Sequence, residues 1–231
     1  MRSFCHGVGV VPQPSPARNP GGDCFACSVT AAMRFLFGDD APSFDTVWTA
    51  FQQEQKRDDG STWLHLSNTW DGMKSALHRL SHDGDWPLEV AFAMVAPSAE
   101  YREMFSYSWG PRVSGYDYAR QLDAWLRAGN LALGEVMLHA CETGEWKIDG
   151  NGKAVRNHID HFWLYDGVRC GWRKHPSVDG ARSLVYQIHV VDSSAGGRAF
   201  WIDVDDLLHR HGAGAWWLVR RKDYGDLVES A

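Results

Sequence analysis

The sequence predicts an α+β fold, with helices first and an antiparallel sheet second. Three observations carry this. Before residue 130 apolar residues recur at helical spacing in four segments. After Gly129 the pattern becomes short apolar and aromatic runs bounded by Gly, Asp and Ser. The 231 residues, 44% hydrophobic and 23% charged, suffice for one ordinary core.

Residues 1–22 read as an irregular lead-in. Pro12, Pro14, Pro16 and Pro20 oppose helix, and Gly21-Gly22 marks a turn. Val29, Ala32, Met33, Leu36 and Phe37 then fall on one helix face, which Phe25 extends by a turn. With Asp23 as N-cap and Gly38 as stop, this predicts a helix near 24–37. Ser43 would cap a second helix through Trp48 and Phe51. A third spans about 68–80, and Leu88 to Val95 reads as a buried strand. Residues 96–116, rich in Tyr, Ser, Gly and Pro, read as a long loop. Asp117 to Ala128 is a helix ended by Gly129. Strands are expected at 131–138, 161–168, 184–191, 199–204 and 216–220. Asp149-Gly150-Asn151-Gly152 signals a hairpin inside 146–155, and 205–211 is a short helical piece. The chain is expected to be one domain. It has a helical lobe over about 23–129, a sheet lobe over about 130–221, a tail at 222–231, and a cleft between the lobes.

Composition removes several function classes. The net charge is −6, and the longest basic run is Arg220-Arg221-Lys222, so no nucleic-acid footprint is present. No stretch approaches 18 uninterrupted apolar residues, so no membrane span is expected. Five cysteines, at 5, 24, 27, 141 and 170, are too sparse for a secreted disulfide scaffold. Without a recognisable signal peptide, a cytoplasmic setting is expected, compatible with delivery by a dedicated secretion system. Twelve tryptophans suit an aromatic core, or a groove for peptide or sugar.

Three short constellations can carry chemistry. In Gly21-Gly22-Asp23-Cys24-Phe25-Ala26-Cys27, a cysteine stands at a helix N-terminus. There the macrodipole and free backbone N–H groups favour a thiolate and can hold an oxyanion. In His158-Ile159-Asp160-His161-Phe162-Trp163, a histidine opens an apolar strand. In Val190-Val191-Asp192-Ser193-Ser194, a carboxylate ends a strand at a small-residue turn. A cysteine nucleophile needs a base within hydrogen-bond reach and a third group to hold that base. Cys24, His161 and Asp192 supply these in order.

With these residues the chain resembles the papain-like cysteine peptidases. It is most similar to bacterial peptidases that cleave double-glycine leader peptides, and to their phage and bacterial relatives. The resemblance rests on Asp23-Cys24-Phe25-Ala26-Cys27-Ser28-Val29, on the helix and strand around Gly129, on His161 to Val168, on Val191 to Gly196, and on the last helix and strand. It spans roughly 18 to 221. It implies a papain-like fold in which the nucleophile helix packs against the sheet. It also implies cleavage of a peptide or isopeptide bond in a protein or peptide substrate, without cofactor or metal. Cys24 is the implied nucleophile, with Cys27 as the alternative, since plant-type relatives use the second cysteine of Cys-x-x-Cys. His161 is the base and Asp192 its orienter.

The chain also departs from the family. A Gln usually stands about six residues before the nucleophile and lines the oxyanion hole, but here position 18 is Arg and position 21 is Gly. Asn19 is the substitute expected, Gln13 being judged too distant. The interval from His161 to Asp192 is lengthened around Gly171 to Arg182. In the segment 96–116, Tyr101, Phe105, Tyr107, Trp109 and Tyr116 are expected to border the cleft, with Trp109 a candidate substrate contact. Other readings stay open at this level: acyl transfer by the same triad, an inactive papain-like binding protein, or a Cys₂His₂ zinc site from Cys24, Cys27, His158 and His161.

Overall fold

A computed structural model describes residues 2–15, 23–56, 62–66, 70–82, 86–94, 114–137, 146–148, 154–156, 160–174, 180–194, 196–209 and 215–222. It is a mixed structure of helices and antiparallel sheet, the α+β class expected. The helices are α1 (Cys24–Phe37), α2 (Phe44–Phe51), α3 (Trp70–His82), α4 (Gly115–Arg127) and α5 (Val204–His209). Strands of the main sheet are β1 (Arg2–Cys5), β4 (Leu88–Met94), β5 (Leu131–Met137), β8 (Asp160–Lys174), β9 (Arg182–Asp192), β10 (Arg198–Asp203) and β11 (Ala215–Arg221). Two small pairs stand apart from it: β2 (Gln52–Lys56) with β3 (Thr62–Leu66), and β6 (Trp146–Ile148) with β7 (Ala154–Arg156).

The helix ends follow local chemistry. Ser43 accepts a hydrogen bond from the Thr46 amide at the start of α2, and Ser114 accepts one from Asp117 at the start of α4. Gly38 and Gly129 take positive φ values, 59° and 83°, where residues with a Cβ are disfavoured.

The main sheet runs β10-β9-β8-β5-β11-β4. β8 is long enough to serve two partners along one edge. Its first part, through Tyr165, pairs with β5; Gly167 to Cys170 pair with β1. The reading of 1–22 as wholly irregular is therefore corrected, because residues 2–5 form a strand. The lengthened interval at Gly171–Arg182 is an extension of the β8–β9 hairpin, paired out to Lys174↔Arg182.

Side-chain alternation places helices on both faces of the sheet. Leu131, Leu133, Phe162, Leu164 and Val191 pack with α1, α2 and α3. Ala132, Trp163, Tyr165, Ile188 and Val190 pack with α4 and α5. Central strands apolar on both faces need a layer on each. The expectation of a helical lobe facing a sheet lobe is corrected accordingly: β1 and β4 come from the first half yet join the sheet, and α4 lies across the sheet from α1. Gly134 on β5 makes this packing work, since a Cβ there would come within 2.2 Å of the Tyr165 ring.

Candidate active site

Cys24 is the first residue of α1. The helix head is fixed against the start of β8 by apolar and polar contacts. The Phe25 ring meets Phe162 edge-on at 4.6 Å and Phe51 at 4.9 Å. The Ser28 hydroxyl donates to the Phe162 carbonyl at 3.1 Å. Asp23 occupies the N-cap position but its side chain makes no capping hydrogen bond. Its Oδ1 instead accepts the Trp48 indole N–H at 3.0 Å, tying α2 to the head of α1.

His161 and Asp192 are brought together by strand register. Asp192 stands opposite Trp163, and His161 lies two residues upstream of Trp163, so the two are diagonal neighbours on one face. The His161 Nε2–H donates to Asp192 Oδ1 at 2.8 Å, and both residues are buried. Asp192 Oδ1 also accepts from the Ser194 amide at 2.9 Å, and its Oδ2 from the Ser194 hydroxyl at 2.8 Å and Arg198 Nε at 3.1 Å.

The electrostatics follow from these contacts. Burial alone would raise the Asp192 carboxyl, but donors from His161 and Ser194 outweigh it and hold the group well below the usual carboxylate range. For His161, burial favours the neutral ring. Hydrogen bonds to Asp192 and to the Cys24 thiol act the other way and prevail, so the imidazole is pushed up to about 9. Because Nε2 is committed to Asp192, Nδ1 is the ring nitrogen left to face the sulfur. The three residues singled out in the sequence are thus gathered at one place.

Cys27 differs from Cys24. It is 0% exposed, against 8% for Cys24, and its thiol donates to the Pro12 carbonyl at 3.8 Å. Burial, and then the negative charges of Asp23 and Cys24, push it up to about 12.

Gln13 lies closer to Cys24 than its separation along the sequence suggests. From β1 the chain crosses the end of the sheet with Val8 and Val11 buried. The Gln13 amide donates to the Ser193 carbonyl at 2.8 Å, and its Oε1 accepts the Asp23 amide at 3.3 Å. Gln13 therefore lies between the residue before Cys24 and the residue after Asp192, with its side-chain NH₂ the donor end. The hint in the sequence was a lone amide side chain between two prolines, which stiffen the backbone carrying it.

Asn19, Trp109 and His158 lie outside the described residues, as do Tyr101, Phe105 and Tyr107. Tyr116, at the start of α4, packs edge-on against Tyr186 at 5.4 Å and under Arg120, on the α4 side of the sheet. Two of the four residues of the alternative zinc set have other engagements: His161 Nε2 with Asp192 and the Cys27 thiol with Pro12. A cavity of about 750 Å³ opens elsewhere, lined by Ser3, Arg120, Arg127, Arg169 and Tyr186 among others.

No family model matches the chain, and no curated protein matches it significantly. Among the described residues, no helix is long and apolar enough to cross a membrane.

Proposed function

We infer that the chain is a cysteine-dependent hydrolase of papain-like architecture that cleaves a peptide or isopeptide amide bond in a protein or peptide substrate. The observation that carries this reading is the buried His161, held by Asp192 at 2.8 Å through Nε2, with the Cys24 sulfur beside the ring as a partner that favours its charged form.

The chemistry follows from that arrangement. The Cys24 thiol gives its proton to His161 Nδ1, the resulting thiolate attacks the substrate carbonyl carbon, and the C=O π electrons move to oxygen. The backbone N–H groups at the head of α1 and the Gln13 side-chain amide are the donors for that oxyanion. As the tetrahedral adduct collapses, the C–N bond breaks and His161 gives its Nδ1 proton to the leaving amine. Water then attacks the thioester carbonyl while His161 takes its proton, and C–S cleavage returns Cys24. Asp192 keeps the imidazole in one orientation and stabilises its charged form throughout.

The test is peptide mapping after brief iodoacetamide treatment at neutral pH. Cys24 should react roughly tenfold or more faster than the free cysteines Cys5 and Cys170, and Cys27 should stay unlabelled. A Cys24 no faster than Cys170 would remove the basis for the reading.

A further inference from the structure

A second polar cluster lies away from Cys24. Cys5 ends β1, Asp166 sits in β8 and His189 in β9. The Cys5 sulfur is 3.3 Å from His189 Nδ1 and 3.7 Å from Asp166 Oδ2, and His189 Nδ1 is 2.6 Å from Asp166 Oδ1.

The backbone is shaped to gather these three. Cys5 and His189 both stand opposite Gly167, on the strands flanking it. Gly167 carries no side chain between them, and a Cβ there would meet the Phe4 carbonyl at 2.8 Å and Cys5 Cβ at 3.0 Å. The β8–β9 register slips between Tyr165 and Gly167, which makes Asp166 the bulged residue. A bulge is a common way of re-aiming one side chain within a ladder. The buried Asp166 carboxylate is oriented further by the Val8 amide, which donates to Oδ2 at 2.7 Å.

The connectivity is that of a ligand set and not of a second triad. In a triad the acid and the thiol use different ring nitrogens. Here Cys5 and Asp166 both face His189 Nδ1.

We propose that Cys5, Asp166 and His189 form a three-ligand site for a divalent transition-metal ion of the zinc class, with a fourth position open to solvent beside the exposed Cys5. Such an ion, with bonds of about 2.0–2.3 Å in tetrahedral geometry, holds its ligand atoms about 3.3–3.6 Å apart. The sulfur–nitrogen distance of 3.3 Å falls in that range, and the sulfur–oxygen distance of 3.7 Å lies just beyond it. The 2.6 Å nitrogen–oxygen contact is a hydrogen bond that opens as the metal replaces its proton. On binding, the Cys5 thiol proton leaves to solvent and the sulfur, Nδ1 and one carboxylate oxygen each donate a lone pair. The proton displaced from Nδ1 passes through solvent to Nε2, so the ring stays neutral. Thiolate and carboxylate together carry two negative charges, which balance the ion. Arg169, the nearby cation, is drawn away by stacking on Trp201 and donating to Gln187 at 2.6 Å. The bound metal would fasten β1 to β8 and β9.

Cobalt(II) titration of the full chain tests this, followed by zinc equilibrium dialysis. Wild type and Cys24→Ala should each bind one ion at micromolar metal, with a thiolate-to-cobalt charge-transfer band. Cys5→Ser and His189→Gln should lose the band. They should weaken binding by more than the roughly 10–100-fold that loss of an outer-shell partner brings. Cys5 is exposed, so its variant should fold; His189→Gln and the wild-type stoichiometry carry the same test if it does not. The proposal is overturned by absence of a thiolate band in the wild type. A band lost in Cys24→Ala and kept in Cys5→Ser also overturns it, since the metal would then belong to Cys24.

Discussion

Replacing Asp192 by Asn isolates the interaction on which the proposed chemistry depends. In the folded chain the His161 imidazole is raised from its ordinary 6.5 to about 9, against the pull of burial. At about 1.4 kcal/mol per pH unit, that is about 3 kcal/mol in favour of the charged ring. Asp192 is the largest contributor in that direction. Without its charge, burial dominates, and His161 should titrate near or below 6.5. The sign for stability follows. A group whose folded value is raised contributes fully below its unfolded value and loses that contribution as pH climbs through the folded one. The stability difference between wild type and Asp192→Asn should therefore be largest near pH 6. It should shrink by up to about 3 kcal/mol as pH rises through 9. A roughly constant cost of about 1–3 kcal/mol should persist, because the Asn NH₂ group opposes donors from Ser194 and Arg198. Imidazole proton resonances give the His161 midpoint, and urea unfolding at several pH values gives the stabilities. A His161 midpoint still near 9 in the variant, or a stability difference flat from pH 6.5 to 9, would refute this account of the pair.

Three other substitutions probe the neighbouring structure. Gly134→Ala puts a methyl group 2.2 Å from the Tyr165 ring, so overpacking should cost about 1–3 kcal/mol in urea unfolding; an unchanged midpoint would mean the ring moves freely. Ser194→Ala removes the hydroxyl that donates to Asp192 and should cost about 0.5–1.5 kcal/mol while lowering the His161 midpoint little. Gln13→Ala should cut turnover of a cleavable peptide by about 10²–10³ while leaving Cys24 alkylation nearly unchanged, because iodoacetamide develops no oxyanion; equal loss in both assays would assign Gln13 a structural role.

Local signals reached some features and missed others for physical reasons. α1 is legible in the sequence, because five apolar side chains at helical spacing are ended by Gly38, whose positive φ needs little from the rest of the chain. Ser43 was equally legible, since a cap acts three residues away. β1 was not: its four residues lie beside a proline-rich run, and their partners in β8 are more than 160 residues distant. β2 was missed because Gln52–Lys56 is polar throughout and has no alternation to read. The order Cys24, His161, Asp192 was visible as three local environments, yet their meeting depends on register, with Asp192 opposite Trp163. The position of Gln13 depends on the path of the chain from β1 to Ser193, which separation along the sequence does not convey. The Cys5, Asp166 and His189 cluster had no sequence signature, since a bulge at Asp166 and the missing side chain at Gly167 create it.

Cys24 and Cys27 show how far a motif can go before surroundings decide. Both sit in the first turn of α1 and share its dipole, so helix position alone does not separate them. The resemblance to plant-type papain relatives, which use the second cysteine of Cys-x-x-Cys, would favour Cys27. Their neighbours separate them. Cys27 faces the Pro12 carbonyl, is fully buried, and lies near the Asp23 charge. Moving its thiol from 9.0 up to about 12 disfavours the thiolate by about 4 kcal/mol, enough to silence it at neutral pH. Cys24, three residues earlier, meets the His161 imidazole, whose charged form it helps to stabilise. If the nucleophile were nevertheless Cys27, Cys24→Ala would retain cleavage of an amide substrate and Cys27→Ala would abolish it. The reverse pattern is expected, with Cys27→Ala costing stability through the small cavity it leaves and leaving His161 titration in place.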